Sequence, residues 1–199
     1  MSVKRNFWVN KVYLDENIIY IEDFISKEDL LLFQHAIVHD SCIEDNDHPA
    51  HIALRINSNN NVKHKWFKYI DVLKSMLEQS NRKIFLQSGE IYLTKYRNST
   101  LDEHHSDHKY LMQPHCDDAS YDWEEDKKGL TFVSHGIVIF ITDDFDGGEI
   151  VYVNKNISIK PKAGSLLVHP GDIEYSHAVN KFYNGERIVF ASFVHEDRK

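Results

Sequence analysis

Three His-x-Asp triplets are the parts of this sequence best suited to binding a metal ion. They lie at residues 105–107, 115–117 and 195–197. In a chain with 13 histidines among 199 residues, chance alone produces about one such triplet, so the surrounding sequence has to distinguish them. Residues 105–107 lie in a charged run, which predicts a solvated loop, and the third triplet leaves only four residues after His195 for any later ligand. His115 follows Gln-Pro and precedes a polar stretch, as expected for a short strand at the rim of a barrel.

The spacing of His115 and Asp117 favours a shared metal ion. Alternate residues of a strand point to the same face, so these two side chains project together while Cys116 turns away. A second histidine from a distant strand would complete a site with two histidines, one carboxylate and open positions, as in non-haem Fe(II) oxygenases. Zinc in a hydrolase could use the same donor set. The candidates for the second histidine are His135, His169 and His177.

A cation distinguishes the three candidates. Oxygenases of this kind that use 2-oxoglutarate need a cation for the far carboxylate of that cosubstrate, and a guanidinium on a neighbouring strand can supply it. Only His177 is followed ten residues later by a cation, Arg187, which stands in the strand-like run 186–190. The sequence therefore favours His177 as the third ligand and Arg187 as the carboxylate-binding residue. With His115 and Asp117 they form the predicted catalytic set.

Two helices followed by many short strands are expected to position these residues. Residues 26–29 have the Ser-x-x-acid form of a helix cap, which predicts a helix over 27–39. A second apolar stripe at helical spacing covers 63–80. Between the helices, the polar residues 41–61 predict a loop with one strand at 52–56. Further strands are predicted at 18–21, 84–86, 91–96, 130–142, 149–153, 157–160, 165–169, 173–179 and 186–194.

Short strands at regular spacing favour a sandwich or a barrel. We therefore predict an α+β, mainly β fold with one domain over residues 1–199. An N-terminal strand and supporting helices (1–82) pack on one sheet of a jelly-roll core (83–195). His169, which precedes a Pro-Gly turn, is interpreted as a structural histidine, and Phe193 is expected to pack in the barrel interior.

Composition excludes several classes of protein. Hydrophobic residues make up 42% of the chain, and 31 acidic against 23 basic residues give a net charge of −8. The apolar content suffices for one packed core, whereas the missing basic block argues against binding nucleic acid. The sequence contains no stretch of about 18 apolar residues, so no membrane span is predicted. Two cysteines and no visible secretory signal predict a cytoplasmic protein.

Six segments together carry a resemblance to a known family. Taken in order and with their spacing, they are similar to Fe(II)- and 2-oxoglutarate-dependent dioxygenases of the prolyl 4-hydroxylase type. The resemblance covers most of the chain. The segments are Tyr96, residues 114–117, 146–149, 164–167 and 177–179, and Arg187.

This resemblance implies a double-stranded β-helix that holds Fe(II) through His115, Asp117 and His177. Arg187 would pair with the far carboxylate of 2-oxoglutarate, and Tyr96 would hydrogen-bond the cosubstrate. The implied reaction uses O2 to hydroxylate a substrate C–H bond, with release of succinate and carbon dioxide, and with ascorbate as a reductant. A prolyl residue of a peptide or protein is the favoured substrate.

Several positions depart from that family pattern. Arg187 stands where relatives acting on peptidyl proline often have Lys, and Phe140 where many have Tyr. The long polar segment 97–113 is interpreted as a flexible lid over the site. Trp123, within an acidic run, and Tyr92, on the same strand face as Tyr96, are candidate substrate-binding residues.

Two other functions remain open at this point. The same cofactors could serve hydroxylation of a free amino acid or another small molecule. A different class would be a non-catalytic, metal-binding jelly-roll module. The full set of predicted ligands, together with Arg187, argues against that class.

Overall fold

The computed structural model describes residues 11–45, 51–57, 60–77, 82–84, 91–98, 108–118 and 131–197. Within these ranges the chain forms two α-helices and fifteen β-strands. In chain order they are β1 (Lys11–Tyr13), β2 (Ile19–Ile21), α1 (Lys27–Asp40), β3 (Ser41–Asp45), β4 (His51–Ile56), α2 (Asn60–Leu77), β5 (Arg82–Ile84), β6 (Ile91–Tyr96), β7 (Tyr110–His115), β8 (Thr131–Phe140), β9 (Asp146–Gly147), β10 (Ile150–Tyr152), β11 (Ile157–Ile159), β12 (Leu166–Pro170), β13 (His177–Asn180), β14 (Phe182–Tyr183) and β15 (Arg187–Asp197).

The strands form an antiparallel jelly roll, as predicted. Among the described residues, nine strands build a large sheet in the order β1-β2-β12-β8-β15-β6-β4-β3, with β5 paired to β15. A smaller sheet has the order β11-β10-β13-β7, and β14 pairs with β9. The two larger sheets supply opposite walls of the site described below.

The two helices cover the outer face of the large sheet. Helix α1 begins where predicted, because the Ser26 side chain accepts a hydrogen bond from the backbone N–H of Asp29 at 3.2 Å. In α2, Trp66 packs edge-on against Phe33 of α1 and Phe190 of β15, with ring centroids 5.2 and 5.4 Å apart. Neither described helix is both long and apolar enough to cross a membrane.

Side chains of the central strands alternate between the two faces of the large sheet, and this divides the core into two parts. On β8, Ile139 belongs to the cluster beneath the helices, whereas Phe140 belongs to the cluster between the sheets. On β15, Ile188 and Val189 divide in the same way. Successive side chains of a strand point to opposite faces, so one strand serves both cores. The inner cluster surrounds the candidate site.

Three local expectations were wrong. Residues 41–45, predicted as loop, form β3, because β4 supplies the hydrogen-bonding partners that their polar sequence does not suggest. Residues 173–175, predicted as strand, form a 3₁₀ turn, since the Asp172 carboxylate accepts from the N–H of Glu174. Phe193, expected in the barrel interior, is 40% exposed.

Candidate metal centre

The structure brings the three predicted metal ligands together. His115 ends β7 and His177 begins β13, and these two residues lie directly opposite each other in the small sheet. Asp117 lies two residues beyond β7. One ligand atom from each of the three lies within 4.8 Å of the others. The Asp117 Oδ1 atom is 3.9 Å from Nε2 of His115 and 3.8 Å from Nε2 of His177.

Backbone carbonyls orient both imidazole rings. Nδ1 of His115 lies 2.9 Å from the carbonyl oxygen of Gln113, and Nδ1 of His177 lies 3.2 Å from that of Tyr175. A carbonyl oxygen can only accept a hydrogen bond, so Nδ1 carries the proton in each ring. The lone pair of Nε2 therefore points towards Asp117 and is available to a metal.

Asp117 reaches the site by a different route from the one the sequence suggested. Strand β7 ends at His115, so strand alternation does not place the carboxylate. The next residue, Asp118, fixes the chain instead: its N–H donates to the carbonyl of Gly171 at 2.9 Å. Its carboxylate accepts from the N–H of Val133 at 3.4 Å. These bonds tie the bend after β7 to the large sheet and hold Asp117 between the sheets.

The electrostatics of the cluster suit a bound cation. Asp117 is 8% exposed, and burial raises its pKa to about 6, although His115 opposes the shift. Burial lowers the pKa of His177 to about 4, because the charged imidazolium is poorly solvated there. Since desolvation outweighs the attraction of His115, this buried carboxylate is short of compensating positive charge. Two nitrogens and one carboxylate oxygen fit Fe(II), and a divalent ion would supply that charge.

His169, a candidate third ligand that the sequence interpretation took as a structural histidine, also faces this cluster. Its ring is 1% exposed, and its Nε2 lies 3.7 Å from the second oxygen of Asp117, Oδ2. The ring contacts that of His177 with centroids 4.6 Å apart. A polar residue at the end of the otherwise apolar strand β12 was the one available signal. His135, the other candidate, is not a member of the ligand cluster found among the described residues.

Arg187 forms the second part of the site. It begins β15 directly opposite Tyr96 of β6, and its guanidinium carbon lies 4.5 Å from the centroid of the Tyr96 ring. The residue is 1% exposed, and its Nε donates to the carbonyl of Gly148 at 3.4 Å. The turn at Gly148, with φ of 71°, presents that carbonyl. This left-handed backbone explains the glycine in the Asp-Gly-Gly signal of the sequence.

No described residue pairs an anion with the buried guanidinium. Within the part of the chain that the structure describes, its Nη1 has no hydrogen-bond partner, and burial lowers the pKa of Arg187. A buried cation without a counter-charge is costly, and a carboxylate presented to Nη1 would remove that cost. The residues present therefore fit a carboxylate-bearing cosubstrate such as 2-oxoglutarate.

The remaining predicted residues are only partly described. Tyr92 is half-buried on β6, opposite Arg55 of β4 and on the same strand face as Tyr96. Trp123 lies outside the described residues, as do His105 and most of the predicted lid. The last residues of that lid, from 110 to 113, belong to β7.

Comparisons with known proteins agree with this geometry. Residues 93–195 match the family described as the 2OG-Fe(II) oxygenase superfamily, which is just over half of the chain. Prolyl 3-hydroxylase 2 of Mus musculus is 29% identical over 86 residues, and that of Rattus norvegicus 28%. Each alignment covers 41% of this chain and only 12% of the longer relative.

Solved structures share the fold at low identity. A viral collagen prolyl hydroxylase from Paramecium bursaria Chlorella virus-1, in complex with 2-oxoglutarate, superposes with a TM-score of 0.58 at 14% identity, covering 91% of this chain and 96% of that one. A Pseudomonas putida prolyl-4-hydroxylase gives 0.57 at 12% identity, covering 92% and 94%. With its jelly roll, its His-Asp-His cluster and the family match, this chain belongs to the 2OG-Fe(II) oxygenase superfamily.

Proposed function

We propose that this oxygenase hydroxylates a prolyl residue of a peptide or protein substrate. The observation that carries the proposal is the pairing of one three-ligand cluster with one buried arginine that no described anion neutralises, in the same core. The choice of proline rests on the relatives, since the sequence relatives and two of the structural ones are named prolyl hydroxylases. A hydrolase that uses zinc would gain nothing from Arg187.

In this proposal His115, Asp117 and His177 hold Fe(II), each through one atom. The hydrogen bonds from Nδ1 of His115 and His177 to backbone carbonyls leave Nε2 of each imidazole free of its proton and able to bind a metal. His115 is the most open of the three, with 38% of its side chain exposed, whereas the other two are 8% exposed. Substrate therefore approaches the metal from the His115 side.

Arg187 and Tyr96 bind the cosubstrate. The Nη1 of Arg187, which no described residue engages, donates to the far carboxylate of 2-oxoglutarate. The ring of Tyr96 lies over the guanidinium and keeps water from it. Tyr96 is 8% exposed, so the ion pair forms in a dry pocket, where it is stronger than in water.

The chemistry supplied by the bound iron and cosubstrate is insertion of one oxygen atom of O2 into a C–H bond, with conversion of 2-oxoglutarate to succinate and carbon dioxide. The chain's own residues bind, orient and exclude water. Ascorbate would serve as a reductant that keeps the metal in the ferrous state. We also infer that the helices and the jelly roll form a single domain, because they share one buried cluster.

Succinate formation tests the proposal. The metal-reconstituted protein is incubated with Fe(II), O2 and 2-oxoglutarate, alone and with proline-containing peptides, matched alanine peptides or free proline. We expect succinate above the substrate-free level only with proline-containing peptides, which gain the mass of one oxygen atom.

The controls distinguish the alternatives. His177→Ala should lose turnover, because it removes a metal ligand, whereas His39→Ala, at an exposed position on α1, should retain it. Succinate stimulated by free proline, or by no peptide tested, would contradict the peptidyl-proline assignment. No succinate under any condition would contradict the cosubstrate assignment itself.

A further inference from the structure

We propose that Lys155 is a positioning residue of the metal centre, because its ammonium holds the 3₁₀ turn 173–175, to which both histidine ligands are hydrogen-bonded. Lys155 lies in the turn between β10 and β11 and is not a member of the ligand cluster. The inference rests on the proposed metal site, and it gives a role to a charged group that the proposed reaction does not use.

The 3₁₀ turn and the residue after it contact both histidine ligands. The carbonyl oxygen of Tyr175 accepts a hydrogen bond from Nδ1 of His177 at 3.2 Å. The hydroxyl of Ser176 donates to the backbone carbonyl of His115, on the neighbouring strand β7, also at 3.2 Å. Because one short segment bonds to both ligands, a displacement of this turn moves two members of the cluster together.

The Lys155 ammonium has three partners around this turn. Its Nζ lies 2.8 Å from Oε1 of Glu174 and 3.2 Å from Oδ2 of Asp15. It also lies 4.1 Å from the centroid of the Tyr175 ring, which is within the range of a cation–π contact. The Lys155 side chain is only 14% exposed, so these attractions are less screened than those of an open surface pair.

Residues before β2 hold the other end of the Tyr175 side chain. The side-chain amide of Asn17 donates to the Tyr175 hydroxyl at 2.8 Å, and this hydroxyl donates to Oδ1 of Asp15 at 3.3 Å. Lys155 binds the second oxygen of the same carboxylate. The buried tyrosine is therefore fixed at its ring by the ammonium and at its hydroxyl by the segment that the ammonium also binds.

Removal of the ammonium would leave this arrangement opposed by charge. Asp15 and Glu174 both lie against Lys155, so their carboxylates are held close to each other. Like charges repel at such distances. The repulsion would act on Glu174, which directly precedes Tyr175, and would pull the carbonyl of Tyr175 away from the position that orients the metal ligand.

Other contacts keep the 3₁₀ turn attached when the charge is lost. The N–H of Val153 donates to the carbonyl of Ser176 at 3.1 Å. The side-chain amide of Asn154 donates to the carbonyl of Ile173 at 3.4 Å. Because these bonds do not involve the ammonium, we expect variants of Lys155 to fold, with the turn shifted rather than released.

Removal and restoration of one charge test the proposal. Lys155→Met keeps the length of the side chain without its charge, and Lys155→Arg restores the charge. Lys162→Met is the matched control, because it removes an ammonium whose partner, Glu22, lies 2.6 Å away at a different position on the surface. The measurements are the Co(II) affinity of the metal-free protein, the visible absorption spectrum of the Co(II) complex, and thermal unfolding.

The expected losses are moderate. An outer residue that contacts a metal ligand directly contributes about ten- to a hundredfold to metal affinity. Since Lys155 acts through one further residue, we expect Lys155→Met to weaken Co(II) binding about three- to tenfold and to alter the spectrum. Lys155→Arg should recover most of the affinity and the parent spectrum, and Lys162→Met should match the parent in both.

Nuclear magnetic resonance of the Co(II) protein gives a readout of ligand orientation. The Nδ1 protons of imidazoles bound to Co(II) give strongly shifted signals that depend on the geometry of each ring. We expect the signals of His115 and His177 to move in Lys155→Met and to keep their parent positions in Lys162→Met. A second variant, Tyr175→Phe, removes the hydroxyl anchor and should add little to Lys155→Met, since both act on the same turn.

Several results would overturn the inference. Parent-like Co(II) affinity, spectrum and imidazole signals in Lys155→Met would refute a positioning role, even if thermal stability falls. An equal loss in Lys155→Arg would also refute it, because that variant keeps the charge. If Lys155→Met does not fold, parent-like Co(II) properties in Tyr175→Phe would refute it instead. A parent protein that binds no Co(II) would contradict the proposed metal site and this inference with it, whereas failure of the succinate assay alone would contradict only the proposed reaction.

Discussion

Replacing Asp117 with asparagine should make the metal-free protein more stable at neutral pH. The carboxyl is 8% exposed, and burial raises its pKa from 3.8 to about 6. A group that is harder to ionise in the folded chain than in the unfolded chain destabilises the fold wherever it is charged. From these two values, the cost at pH 7 is about 3 kcal/mol, and the neutral amide avoids it.

The pH dependence of this difference has a definite sign. Below about pH 3.8 the carboxyl is protonated in both the folded and the unfolded state. A change of pH in this range should therefore alter the free energy of unfolding of parent and variant alike. Between pH 3.8 and about 6 the parent should lose stability relative to Asp117→Asn as the pH rises, and above pH 6 the difference should be constant. His177, whose pKa is lowered to about 4, contributes in the opposite direction but is common to both proteins.

Urea unfolding of the two metal-free proteins at pH 4 and pH 7 measures the effect. Added Co(II) should reverse the order of stability, because only the parent retains the carboxylate ligand. An Asp117→Asn protein that is no more stable than the parent at pH 7 would refute the reasoning. A stability difference that is the same at both pH values would also refute it, since the cause would then not be ionisation.

Three further substitutions have specific expected outcomes. Arg187→Ala should weaken 2-oxoglutarate binding about thirty- to several-thousand-fold at saturating Fe(II), because a buried carboxylate loses its partner, and Arg187→Lys should be intermediate. An unchanged half-saturating concentration of 2-oxoglutarate in Arg187→Ala would contradict the assignment. Gly136→Ala should reduce Co(II) affinity at least about tenfold, since its β-carbon overlaps Asp117 Oδ2; parent-like calorimetric titration would argue against this packing. Tyr152→Phe should stabilise the metal-free protein by about 1 kcal/mol in urea unfolding, because it removes a buried hydroxyl that has no partner among the described residues. A loss of stability would show that the hydroxyl is satisfied.

Local signals in the sequence predicted much of the fold. The Ser26 cap marked the start of α1, and the run of branched and aromatic residues at 91–96 matched β6 at both ends. Polar edge strands carry no such signal, which is why β3 was predicted as loop. Its strand conformation depends on pairing with β4, and only the folded chain shows that pairing.

The clustering of the candidate ligands could be predicted in part from their spacing along the chain. His177 and Arg187 occur on strands that follow each other closely, so counting along the chain paired them. His115 and Asp117 were paired by strand alternation, but β7 ends at His115 and the bend fixed by Asp118 places Asp117. His169 could not be found in this way. It meets Asp117 across 52 positions of sequence, through a bend that Asp118 fixes to the large sheet.

Anaerobic binding of 2-oxoglutarate to the Fe(II)-loaded protein tests the central claim most directly. Coordination of the cosubstrate to ferrous iron gives a visible charge-transfer absorption band that requires both components. We expect this band in the parent and in His105→Ala, which alters a competing His-x-Asp triplet, and its loss in His115→Ala and His177→Ala. A band that persists without His115 but disappears without His105, or that never forms in the parent protein, would contradict the account.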